Sequence, residues 1–167
     1  LRDEVDVAVM GLIEDAHDLQ VEPFLPNELV VISSPRHPLA QRKQVSVAEL
    51  GDETLLLREQ GSGTRTDIER MFAKGQLAMR LGMELRSSGA IKQAVAADLG
   101  IAIIPLHAIE LELLAKRLVT LNVEGFPIRR DWSIARRAGR RLSAAANALW
   151  DYLLLYRDEA SLEFTLA

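Results

Sequence analysis

The sequence contains no cysteine, which excludes a disulfide framework, thiolate catalysis and any cysteine-ligated metal site. Histidine is scarce: His17, His37 and His107 lie far apart in the chain, so no metal centre and no cofactor are expected. No apolar run approaches the roughly 20 residues that a membrane-spanning helix needs, so a membrane partner is not expected. Net positive charge is lacking too. A formal charge of −4 and a pI near 5.4 argue against a chain whose own main partner is nucleic acid, because that work needs a clustered cationic surface. No repeat or low-complexity segment is present. What remains is 167 residues with 49% hydrophobic content, enough for one ordinary domain or two small lobes around a real core.

The stretch that carries most meaning is Arg58-Glu59-Gln60-Gly61-Ser62-Gly63-Thr64-Arg65, where an apolar run over residues 54–57 gives way to a helix. A strand that ends in a glycine-rich turn and opens a helix aims unpaired N–H groups and the helix dipole at one small volume, which attracts anions. Thr66 followed by Glu69 has capping-box spacing, and Ile68, Met71 and Phe72 share a helical face. Arg65 in the first turn opposes the dipole. Either its guanidinium fork binds a carboxylate or phosphate, or it lies on the surface.

Read in order, residues 5–11 form a buried strand closed by Met10-Gly11, and residues 12–27, with Pro23 and Pro26, form a loop. Residues 28–34 are the second strand, stopped by Pro35 and Pro38, with His37 fixing the turn between them. Ser46 and Glu49 cap a short helix. Residues 79–85 read as a strand. Ser87-Ser88 then cap a helix running to Gly100, a second helix N-terminus open to an anion. Residues 101–104 are wholly apolar, as a parallel central strand would be. Pro105 ends them and His107 lies just beyond, either as a donor to a ligand or as an exposed helix-start residue. A helix over 108–116, a strand over 118–123 and a strand around Trp132 and Ile134 follow. Last comes a helix from Ser143 with a stripe of Ala146, Leu149, Trp150, Leu153 and Leu154, and a tail over 158–167. Arg129, Arg130, Arg136, Arg137, Arg140 and Arg141 read as mostly solvated surface. This order implies α/β layers with a mostly parallel sheet.

Several spaced motifs, "EVDVAVMG", "RHPLA", "GSGTR" after a strand, "SSGAIKQAVAADLGIAIIP" and "RLVTLNVEGFPIRRDWSIARRAGRRLSAAANALWDYLL", together resemble the effector-binding domain of LysR-type transcriptional regulators. Within that family the sequence is similar to the regulators of the carbon-fixation (RuBisCO) operon. The resemblance implies an α/β, two-lobed, periplasmic-binding-protein-like (type 2) fold with a small-molecule inducer in the cleft. Lobe 1 would be partial, from residues 1–27 and 137–167, and lobe 2 would be residues 28–136. The winged helix-turn-helix DNA-binding domain and the first part of lobe 1 would be absent, so the parent protein would bind DNA only through that missing N-terminal part. Ser62, Gly63, Thr64, Arg65 and Thr66 match the lobe 2 loop that touches the inducer, and Met10 and Gly11 match the strand end facing it. Ser87 and Ser88 stand where relatives often read Ser-Asn, which leaves the effector's identity open.

The resemblance further implies a cytoplasmic protein that senses a small anionic metabolite, such as a sugar phosphate, phosphoenolpyruvate or a nucleotide, and is not an enzyme. It would associate to a dimer or tetramer, the helix at residues 66–75 taking part, with Ile68, Met71 or Phe72 neighbours exposed. Lobe 2 is expected to be the better-ordered half. The alternative is an enzyme on the same fold, such as a prephenate-dehydratase-type domain. The sequence carries no Ser–His–Asp order or paired carboxylates at a strand end to support it.

Overall fold

The computed structural model describes residues 5–11 and 16–165, with side chains as far as residue 157. Residues 12–15 of the expected loop and residues 166–167 of the expected tail lie outside the described residues. The elements are β1 (Val7–Met10), β2 (Leu19–Ser33), α1 (Val47–Gly51), β3 (Leu55–Arg58), α2 (Gly63–Lys74), β4 (Leu81–Leu85), α3 (Ser88–Ala96), β5 (Ala102–Pro105), α4 (Glu110–Leu114), β6 (Val119–Thr120), β7 (Ile128–Arg137) and α5 (Ala144–Thr165). They fall into two compact units, Leu1–Asn27 with Arg130–Ala167, and Glu28–Arg129.

The larger unit is a sheet covered on both faces. Its strands alternate between two cores, as a strand period of two requires. Leu29, Val31, Leu55, Leu57, Ile101 and Ile103 point to one side, where Ile68 and Phe72 of α2 meet them. Val30, Ile32, Leu56, Ala102 and Ile104 point to the other, against Ile91 and Val95 of α3. Covering both faces is why these strands are apolar without interruption. Ile68 and Phe72 are themselves buried, at 1% and 2% exposure, and Met71 is half-buried. The exposed apolar residues nearby are Leu81 and Met83 of β4, which pairs with β3 in a two-stranded ladder.

Strand direction departs from the sequence reading. β3 and β4 are parallel, and Leu55 bridges Ile101 in parallel, but β5 and β6 run antiparallel to β2. A continuous apolar run reports coverage of both faces; it does not report direction. β2 also begins at Leu19 and passes through Pro23 and Pro26, so residues 19–27 are strand and not loop. The prolines are tolerated because β5 and β6 pair with β2 only over residues 29–33, which leaves the earlier stretch unladdered on that side among the described residues. The helix after β5 is a 3-10 turn, Leu106–Ile109, followed by the short α4, and the expected strand over 118–123 is reduced to Val119–Thr120. Leu118, Leu121 and Val123 are nonetheless buried, so the apolar pattern there marks core more than ladder.

The smaller unit pairs β1 antiparallel with β7, Val7 opposite Arg136 and Met10 opposite Ser133. Residues 130–137 therefore belong to this unit, and the division falls at Arg130 and not at Arg137. β1 is half-exposed, with Val9 48% accessible, which corrects its reading as a buried strand. α5 lies against β1. Trp150 is buried at 2% exposure, with the Arg136 guanidinium 4.4 Å above its ring, while Leu153 and Leu154 are half-buried and Leu149 is exposed. The α5 backbone continues to Thr165, so the expected tail at 158–165 is helix; no Gly or Pro interrupts it.

Candidate functional site

In the larger unit, parallel alignment of β3 with β4 and of β3 with Ile101, just ahead of β5, brings their carboxyl ends to one end of the sheet, Arg58 opposite Leu85. The segments at and after those ends carry most of the expected residues: Ser62 to Thr66 after β3, Ser87 and Ser88 after β4, Pro105 as the last residue of β5 and His107 just after it. The carboxyl end of an open α/β sheet is where such folds bind ligands.

The helix caps differ. At α1 the Ser46 hydroxyl accepts from the Glu49 amide while the Glu49 carboxylate accepts from the Ser46 amide, a complete capping box. At α3 the Ser87 hydroxyl accepts from the Ala90 amide at 3.0 Å, so that end is capped by its own side chain and Ser87 is not an open anion site. At α2 the N-cap Ser62 makes no side-chain cap bond. The first-turn amides of Gly63, Thr64 and Arg65 have no carbonyl behind them within the helix, whereas the Ser62 amide is used by Glu59 O at 3.2 Å. The helix starts at Gly63, so Thr66 and Glu69 are not a capping box: the Thr66 hydroxyl turns back to Ser62 O, and Glu69 is engaged by Arg65. Gly61, at φ +86, makes the turn.

Arg65 is neither an open cation nor a surface residue. It is 6% exposed. Its Nε donates to Glu69 at 2.7 Å, and its Nη1 donates to Arg58 O at 3.1 Å and to the Glu84 carboxylate. One side chain thus ties the first turn of α2 to the end of β3 and to β4, around the glycine loop. These carboxylates hold the guanidinium pKa above its ordinary value, Glu69 contributing most. The sequence offers only one hint of this, the i,i+4 spacing of Arg65 and Glu69; Glu84 comes from the β3–β4 register.

Arg58 and Glu59, beside the loop, form a two-pronged ion pair with both contacts at 2.8 Å. The Arg58 hydrogen bonds lower the Glu59 pKa to about 2. Because the folded value lies below the unfolded one, the pair's contribution is present above about pH 4 and fades as pH falls toward 2. A carbon-detected NMR titration should find the Glu59 carboxyl midpoint near 2. In Arg58→Gln it should return to about 4; an unmoved midpoint would remove Arg58 as the cause.

Pro105 is buried, and His107 is exposed on its 3-10 turn. His37 does fix its turn, Nδ1 accepting from the Leu39 amide at 3.3 Å and Nε2 lying 3.5 Å from Glu53. A cavity of about 340 Å3 lined by Val30, Leu106, Thr120, Leu121, Phe126 and Pro127 contains none of the expected residues. In the smaller unit, Met10 and Gly11 sit at the end of β1. There the structure adds a residue that the sequence reading left among solvated arginines. The Arg130 guanidinium packs on Gly11 so closely that a Cβ would come within 3.2 Å of Cζ. Burial pushes the Arg130 pKa down. Alternation along β7 could have separated Arg130 from Arg129, whose side chain is 82% exposed.

Parallel strand ends, a helix N-terminus without a side-chain cap and a glycine turn held by internal ion pairs lie together in an α/β module of the type 2 periplasmic-binding-like class. The chain belongs to the LysR substrate binding domain family, whose model matches residues 1–156. It is 47% identical over 150 residues to a RuBisCO operon transcriptional regulator of Allochromatium vinosum, covering 90% of this chain and 50% of that protein. It is 40% identical to the transcriptional activator CmpR of Synechocystis, covering 94% and 52%. The chain thus spans about half the length of the curated relatives it matches. Among solved structures it is similar to the regulatory domain of CcmR from Synechocystis PCC6803 in complex with 2-phosphoglycolate, with a TM-score of 0.84, 36% identity and coverage of 92% and 74%. The effector-binding domain of QuiR in complex with shikimate superposes with a TM-score of 0.81 at 25% identity, covering 92% and 72%. No helix among the described residues is long and apolar enough to cross a membrane.

Proposed function

We propose that this chain is the effector-sensing part of a cytoplasmic LysR-type regulator of carbon fixation and does no catalysis. It binds a small phosphate- or carboxylate-bearing metabolite, and the parent protein binds DNA through segments outside it. In the larger unit the amides of Gly63, Thr64 and Arg65 receive the anion, with Thr66, Ser88, Pro105 and His107 flanking it. Met10 and Gly11 serve the same ligand class in the smaller unit. The observation that carries this reading is the uncapped N-terminus of α2 at the sheet's carboxyl end, in a chain 36% identical to a regulatory domain bound to 2-phosphoglycolate. A thermal-shift panel of 2-phosphoglycolate, sugar phosphates, phosphoenolpyruvate and nucleotides against neutral sugars tests it. At least one anion is expected to raise the melting temperature in a saturable way. A flat response to every anion would contradict the reading.

The edge strand β4, with Leu81 46% and Met83 43% exposed, supports self-association of the larger unit through β4 and α2. Sedimentation velocity should show concentration-dependent association that Met83→Lys weakens. A monomer at every concentration would exclude that interface for this chain.

A further inference from the structure

We propose that Lys92 is a positioning residue of the effector site: its ammonium fixes the 3-10 turn that carries His107 against the start of α3, which carries Ser88. This deepens the sensing role proposed above and rests on it.

Lys92 lies in α3 four residues after Ser88, so the two share a helix face. Its Nζ donates to the Ala108 carbonyl oxygen at 2.8 Å and lies 2.8 Å from Glu112 Oε1. Ala108 follows His107 in the turn Leu106–Ile109, and Glu112 belongs to α4. One side chain thus ties α3 to both elements that follow β5. The pair is sheltered, with the Lys92 and Glu112 side chains 19% and 16% exposed. The hydrogen bond from Lys92 is the main reason that the Glu112 carboxyl titrates below its ordinary range.

Stability alone does not account for the pair. The same elements already meet in an apolar core, where Ile109 of the turn joins Ile91 and Val95 of α3. Glu112 Oε2 is buried with no hydrogen-bond partner among the described residues. A sheltered ion pair with an unmet oxygen adds little net stability over an apolar pair of similar size. What it adds is direction. Apolar contact through Ile109 holds the turn against α3 without fixing its register, whereas a hydrogen bond to one carbonyl sets where Ala108 stands, and His107 with it. The turn needs that support. It is a 3-10 turn, with poorer internal hydrogen-bond geometry than an α-helix, and Pro105 at its N-cap makes no side-chain cap bond. A turn already held in place does not have to be ordered by the ligand, which raises affinity without any new contact.

The test is titration calorimetry with 2-phosphoglycolate, thermal melts of the ligand-free chain and NMR of the His107 ring, for wild type, Lys92→Met/Glu112→Leu and Lys92→Arg. The double substitution removes both charges at once and leaves neither buried alone, so it should melt within a few degrees of wild type. It should nonetheless bind about 5-fold or more weakly, with a smaller ligand-induced shift at His107. Lys92→Arg keeps donors for both oxygens and is expected to bind within about 2-fold of wild type. Wild-type affinity in the double variant, Lys92→Arg as weak as the double variant, or a wild-type His107 ring that does not respond to bound ligand would each overturn the positioning role while leaving the sensing role intact. Weaker binding together with a much lower melting temperature in the double variant would mean a packing role and would also overturn it. If the wild type binds neither 2-phosphoglycolate nor the other anions of the panel, the sensing role itself fails and the positioning role with it.

Discussion

Arg65→Ala is expected to weaken binding of 2-phosphoglycolate by about 10- to 100-fold, and Glu84→Gln is expected to weaken it as well, by a few fold. The second sign is the informative one. Arg65 joins the α2 first turn, the Arg58 carbonyl and the Glu84 carboxylate, so it holds the glycine loop in the shape that aims three amides at one point. Each charge-assisted bond of this kind contributes on the order of 1.5–3 kcal/mol when sheltered. Glu69 and Glu84 are 46% exposed, so solvent screening reduces their share, and Glu84→Gln should cost less than Arg65→Ala. Were Arg65 itself the ligand's cation, Glu84 would compete with the anion for it, and Glu84→Gln would tighten binding. Calorimetry on the two variants therefore separates a loop-positioning residue from a direct ligand by the direction of one change.

Trp150→Ala should lower stability by about 3–5 kcal/mol, the usual cost of truncating a large buried aromatic. In a chain of this length that corresponds to a drop of roughly 6–20 °C in melting temperature. Trp150 is the one fully buried large side chain of the described part of α5, and its ring also carries the Arg136 guanidinium. The same truncation at exposed Leu149 should cost well under 1 kcal/mol. Melting followed by circular dichroism checks both, and equal small losses at the two positions would mean that α5 does not anchor the smaller unit.

The larger unit was legible because its signals are local. Ser46 with Glu49, the Ser87 cap, Gly61 in its turn and the continuous apolar strands each belong to a few adjacent residues, and each stands in the structure. What stayed hidden depends on register. The direction of β5 follows from its partners, since an apolar run buried on both faces looks the same either way round. The strand through Pro23 and Pro26 contradicts local propensity and is permitted only where one side of β2 lacks a ladder. At the candidate site, the glycine loop was readable but the state of Arg65 was not, because Glu84 reaches it only through pairing of Arg58 with Leu85. Arg130 was grouped with five other arginines, and Gly11 distinguishes it only through a contact distant in sequence.

Titrating 2-phosphoglycolate into the 15N-labelled chain and following its amide resonances shows whether the uncapped first turn of α2 is an anion receptor. Saturable shifts led by the amides of Gly63, Thr64 and Arg65 are expected, with those at the Ser87-capped start of α3 moving least. Binding that leaves the amides of residues 63–65 unmoved would contradict that role.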